Sequence, residues 1–175
     1  EMKQNHFYGL LMATIILNSC GNSGSNKSST KNSNESFTQT TSSSLDEVTI
    51  GNQVWMSENL NVNKFRNGDP IPQAETNAEW EEAGKNKIPA WCYYDNDPSN
   101  GTKYGKLYNW YAVNDQRGLA PEGYHIPSDE EWIILTDYLG GLEVAGDKMK
   151  TEHYWNKPHS LATNESRFSA LPGGQ

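Results

Sequence analysis

The apolar positions along the chain fall into three regimes. From Phe7 to Leu17, eleven consecutive residues are apolar or small. From Gly21 to Ser44, "GNSGSNKSSTKNSNESFTQTTSSS" holds one aromatic residue, Phe37, and shows no apolar period. From Leu45 onward, short apolar-aromatic segments alternate with turn-rich loops. The first run is too short to span a bilayer as a helix, which needs about 20 residues. It has the length of a signal-peptide core. The second stretch cannot bury enough surface to offset its ordering entropy, and reads as a flexible tether reaching roughly 25–30 Å. A folded unit is therefore expected over residues 45–175, behind a leader at 1–19 and a tether at 20–44.

Within that unit the pattern predicts an α+β fold. "LDEVTIGNQVWMSENL" has two β-rich runs around Gly51-Asn52, a two-residue hairpin signal. Val48, Ile50, Val54 and Met56 alternate, with Trp55 opposite Val54. "RNGDPIP" (66–72) is turn-rich loop. "ETNAEWEEAGKN" reads as a short helix capped by Thr76 or Asn77, with Trp80 facing in and Gly84 stopping it. "PAWCYYDND" reads as a strand ending in a loop. "KLYNWYAV" (106–113) is helix or strand, and the spacing of Leu107, Trp110 and Tyr111 favours helix. "SDEEWIILTDYLGG" is a helix with Trp132, Leu135, Thr136 and Leu139 on one face, ended by Gly140-Gly141.

The leader ends in Leu17-Asn18-Ser19-Cys20, which resembles the bacterial lipobox: an aliphatic residue, two smaller ones, then cysteine. Cleavage before Cys20 would leave it as a lipidated first residue. The diacylglycerol of such an anchor holds firmly where one acyl chain would not. The expected partner of Cys20 is thus the membrane. Gly21 follows instead of the Asp that retains such proteins at the inner membrane, so the expected location is the cell envelope, at the outer membrane.

Composition sharpens this in two ways. Hydrophobic residues are only 34% of the chain, yet aromatics reach 11%, with six Trp and nine Tyr. The core is therefore expected to rest on aromatic side chains, each burying a large area. Net charge is −8, and no Lys/Arg run appears. That argues against nucleic acid as a partner, because phosphates need basic patches.

"GYHIPSDEEW" gathers His125, Ser128, Asp129, Glu130 and Glu131, the parts of a hydrolase or of a capped helix start. Ser128 and Glu131 stand in capping-box spacing, and acidic residues in a first turn suit the helix dipole. We read structural capping, with the role of His125 open. Asp95, Asp97 and Asn100 in "DNDPSNG" offer oxygen donors to Ca²⁺, although the EF-hand spacing is not met and Asx-rich turns are common. No Cys/His cluster has zinc spacing. Cys92 lacks a visible catalytic partner. Trp91, Tyr93, Tyr94, Trp110 and Tyr111 are the candidate ligand-binding residues, as a sugar-stacking surface, against the alternative that they build the core.

"VTIGNQVWMSENLN", "WCYYDND", "YGKLYNWYAV", "GLAPEGYHIPSDEEW" and "FSALPGG" occur in this order over residues 48–174. Together they resemble the Fibrobacter succinogenes major paralogous domain, common in secreted and lipid-anchored proteins of Bacteroidetes and Fibrobacteres. That family is similar to the C-type lectin-like group, which includes the formylglycine-generating sulfatase-modifying enzymes. There a segment R-L-P-T-E-x-E-W opens a helix, and "HIPSDEEW" is similar to it. The resemblance implies a C-type lectin-like fold. It also implies that further C-terminal strands and a late cysteine, the expected partner of Cys92, would follow Gln175, leaving the domain here incomplete. The sulfatase-modifying enzymes use cysteines of that late region, so their activity is not carried over. The expectation is a lipid-anchored envelope protein with no catalytic residues, binding a glycan or an envelope protein. The alternatives are a structural or protein-contact module and, behind it, an enzyme of the sulfatase-modifying type.

Overall fold

A computed structural model describes residues 16–17, 46–155 and 161–173. Cys20, the tether and most of the leader lie outside the described residues. The elements, in chain order, begin with β1 (Ile16–Leu17), β2 (Glu47–Ile50) and β3 (Gln53–Met56). Next come α1 (Asn77–Lys85), β4 (Trp91–Cys92), α2 (Gly101–Tyr104), β5 (Leu107–Tyr108) and α3 (Trp110–Val113). β6 (Tyr124–His125), α4 (Asp129–Tyr138) and α5 (Leu142–Met149) complete them. This is a mixed α+β architecture of short helices and two small antiparallel sheets. One sheet runs β2-β3-β1-β6 and the other pairs β4 with β5. No helix among the described residues is long and apolar enough to cross a membrane.

The hairpin forms where the sequence places it. Ile50 pairs with Gln53 across Gly51-Asn52, and Gly51 takes φ +62°, which glycine adopts at no steric cost. The register corrects the expected faces. Val48 lies opposite Trp55, so Val48, Ile50 and Trp55 share one face, while Met56 lies on the other. Each face meets a core, although Glu47 and Thr49 on the Met56 face are exposed. Met56 joins Leu60, Phe65, Ile71, Trp91, Tyr108, Ala112, Leu119 and Ala120 in one core. Trp55 joins Ile50, Leu135, Leu139, Ala145 and Phe168 in a second. The four-stranded sheet is thus the partition between two cores. As the composition predicts, aromatic residues supply much of both: Trp55 is fully buried and Tyr108 is 1% exposed.

Two other expectations change. Lys106–Val113 is not one helix: Leu107–Tyr108 is strand, and Asn109 then caps α3. The Asn109 side chain accepts from Ala90 N and Ala112 N and donates to the Ile88 carbonyl, so it serves strand entry and helix start together. Gly84 lies inside α1, which ends at Lys85 with Asn86 as its C-cap. Helix α5, which the sequence reading lacked, begins at Gly141 without any side-chain cap.

Candidate functional site

The stretch that suggested a hydrolase is a helix start. Ser128 Oγ accepts from Glu131 N, and Glu131 Oε2 accepts from Ser128 N at 2.8 Å. His125 Nε2 lies 2.8 Å from the other carboxylate oxygen, which gives the histidine a role: it braces the capping carboxylate from β6. Burial alone would raise the Glu131 carboxyl. The Ser128 N–H and His125 outweigh it and hold the group below its ordinary value. The Gln53 amide donates to the Glu131 carbonyl and ties the helix start to β3. Thr76 and Glu79 build the same box at α1.

The five candidate aromatics do not converge. Trp91 is 6% exposed, its indole N–H donates to the Ile71 carbonyl, and the Lys106 ammonium lies 4.7 Å from its ring centroid. It is a core residue with no free face. Tyr93 is half-buried, edge-on to Trp91 at 5.1 Å. Tyr94 packs beside Ala74, Cys92 and Leu107, with Tyr104 5.5 Å away. Trp110 is 60% exposed on α3, and Tyr111 beside it is half-buried. Neither α3 ring pairs with another aromatic among the described residues.

The Asx-rich loop is occupied by its own turns. Asp97 accepts from Ser99 N, which lowers its carboxyl pKa, and Asn100 donates to the Tyr94 carbonyl. Asp95 is exposed, in the left-handed region at φ +56°. Among the described residues no group of three or more His, Cys, Asp or Glu is arranged to hold a metal ion. Cys92 is free and buried, and burial pushes its thiol up to about 11.

A cleft of about 910 Å³ lies elsewhere, along the outer edge of β2. Its walls are the strand itself, the end of α4, Lys148 of α5 and the loop Glu165–Ser169. That loop is tightly specified. Ser166 N donates to the Lys148 carbonyl, Asn164 exchanges bonds with Ser169, and Phe168 anchors it in the second core. Asn164, Arg167 and Ser169 all have positive φ, at 48°, 60° and 62°. Non-glycine residues seldom adopt that region, and each such residue stores strain. At the other wall Tyr138 is 66% exposed. A Cβ on Gly51 would stand 3.0–3.3 Å from three of its ring atoms. The ring therefore rests on the bare hairpin turn.

Sequence reasoning missed Tyr138. Its signal was available: an aromatic residue off the Trp132, Leu135, Leu139 face of a helix, where a polar residue is expected.

A family model described as the Fibrobacter succinogenes major domain matches residues 48–175. No curated protein and no solved structure matches the chain.

Proposed function

The chain belongs to the Fibrobacter succinogenes major domain family, and on that premise we propose a non-catalytic binding module of the cell envelope, lipid-anchored at Cys20 on the outer membrane. Its domain is of the C-type lectin type, and it takes a hydroxyl-rich ligand, a carbohydrate, in the cleft beside β2. The anchor rests on Leu17-Asn18-Ser19-Cys20 and the tether that follows. The lectin-type reading rests on the capping-box helix opened by "HIPSDEEW" after a short strand.

The ligand reading is carried by Tyr138. An exposed aromatic ring, backed by Gly51, stands at the wall of a cleft whose other groups include Glu47, Lys148, Glu165, Ser166 and Arg167. A flat apolar face beside carboxylates, cations and hydroxyls suits a sugar, whose C–H faces stack while its hydroxyls exchange hydrogen bonds. β2 adds the free backbone groups of an edge strand. The non-catalytic reading is supported by the duties of the reactive groups. His125 and Glu131 serve the helix start, and Cys92 sits among apolar side chains as a protonated thiol.

The test is glycan-array binding by the full chain, in Ca²⁺ and in EDTA, beside Tyr138→Ala and Trp110→Ala variants. Binding that survives EDTA and Trp110→Ala but drops at least tenfold in Tyr138→Ala is the expected result. A folded chain that binds no glycan, or binds equally without the Tyr138 ring, overturns it. A protein-contact role is the second reading. It is favoured by Ile134, one helical turn before Tyr138 on α4 and 54% exposed, and by Leu142, 82% exposed at the start of α5.

A further inference from the structure

The sheet contains a place for a strand that the domain from Asp46 to Gly173 does not itself fill. β3 and β6 are not neighbours; β1 lies between them, antiparallel to both, with Ile16 opposite Trp55 and His125, and Leu17 opposite Tyr124. Without β1, two strand edges would face each other across one missing strand, about 9–10 Å apart at ordinary strand spacing. The gap is not at the surface of the fold. In the row through Leu17, Tyr124 packs against the core that holds Met56; in the row through Ile16, Trp55 is the centre of the other core. A strand here must be apolar on both faces, as strands buried between two layers are. It must also be free of proline, since both of its edges are paired.

We infer that the gap between β3 and β6 is a strand-acceptor site, whose occupant is an extended, uncharged aliphatic segment of a partner protein. Ile16-Leu17, at the end of the leader, is its placeholder in the unprocessed chain. The observation that selects this occupant is the segment seated there, part of the uninterrupted run Ala13-Thr14-Ile15-Ile16-Leu17. If processing before Cys20 removes that run, the gap opens to a strand of the same chemistry. Main-chain bonds to two edges then give affinity, and the two cores select aliphatic side chains. The site lies on the other side of β3 from the glycan cleft. Either can therefore fail without the other.

The experiment uses the full chain with Cys20→Ala, to block lipidation, and the same chain carrying Ile16→Pro. The probe is a fluorescent peptide, Lys-Ala-Thr-Ile-Ile-Leu-Lys, read by anisotropy; the control peptide has proline at its second isoleucine. The expected result is binding at least tenfold tighter to the Ile16→Pro chain than to its parent, and loss of binding for the proline peptide. Equal binding by parent and variant, equal binding of both peptides, or no binding by a folded variant overturns the proposal. Hydrogen exchange on the parent chain keeps the test decisive if Ile16→Pro does not fold. The amides of Val54, Met56 and His125 should then be protected to the level of the β2–β3 pairing, and exchange at the rate of exposed loops refutes a filled gap.

Discussion

Replacing Asn109 with alanine tests how the aromatic core is held together. Its side chain makes three bonds: Oδ1 accepts from Ala90 N at 3.1 Å and from Ala112 N at 3.0 Å, and Nδ2 donates to the Ile88 carbonyl at 2.8 Å. The residue itself is 9% exposed, and both N–H groups lie in buried surroundings. A buried group left without a partner costs about 1–3 kcal/mol. Ala112 N also bonds the Asn109 backbone carbonyl at 3.0 Å, so the loss rests on the Ala90 N–H with a smaller contribution from the less buried Ile88 carbonyl, about 2–4 kcal/mol. That is a large share of the roughly 5–15 kcal/mol that holds a typical domain folded. Asn109→Asp isolates the donor to Ile88. Ionised, it keeps an oxygen for both N–H groups but sets a buried carboxylate against the Ile88 carbonyl; protonated, its O–H restores that donor, so its loss relative to the parent should shrink as pH falls from 7 to 4. Urea unfolding of both variants, followed by tryptophan fluorescence, gives the two differences. An alanine variant within about 1 kcal/mol of the parent would show that water replaces the side chain. An aspartate variant whose loss relative to the parent stays constant from pH 7 to 4 would remove the Ile88 bond from the account.

The remaining predictions concern protons. Glu131 has its carboxyl pKa lowered in the folded chain, so its contribution to stability is present above the ordinary carboxylate value of about 4.3 and is lost as pH falls through the lowered one. Thermal midpoints of the parent should fall more steeply from pH 5 to 3 than those of Glu131→Gln; parallel curves would remove the carboxylate from the account. Burial holds the Cys92 thiol at about 11. Disulfide reagents at pH 8 should therefore label it at least ~100-fold more slowly in the native chain than in urea, since the thiolate is the reacting form. Equal rates would show an open, reactive cysteine.

Local chemistry was the legible part of this fold. The Gly51-Asn52 hairpin and the Ser128 box are written in adjacent residues, where turn and cap geometry leave few alternatives. What was not legible depends on contacts far apart in the chain. The Leu107, Trp110, Tyr111 spacing looked helical. Asn109 instead finds Ala90 and Ile88 some twenty residues away, and the segment breaks into a strand and a turn of helix around it. The faces of the hairpin went wrong for a related reason. Alternation assumes one buried face, and this sheet has a core on each side, so Trp55 and Met56, neighbours in sequence, are both buried. The candidate ligand aromatics were chosen by type, which cannot separate a ring that fills a core from one that presents a face.

The fold itself supplies that separation. Trp91 donates to Ile71 and lies under Lys106, Tyr108 donates to Val62, and Trp55 packs against Trp132 and Phe168. Each has a partner whose loss would be felt in stability. The conspicuous charges are spent in the same way. Arg66 donates to the Ala120 and Tyr124 carbonyls, and Arg117 binds Asp115 and Asp69 while stacking on Phe65. Among the described residues, the rings left without a matching structural duty include Trp110 and the outer face of Tyr138, and only Tyr138 faces a cleft, with the strained loop Asn164–Ser169 across from it. Strain at three non-glycine residues persists only where the surroundings impose it, and here Phe168 and the Asn164–Ser169 bonds do so. A loop held that firmly presents Arg167 and Ser169 to the cleft in one geometry. A binding wall gains from such rigidity, because little ordering is left to be done when the ligand arrives.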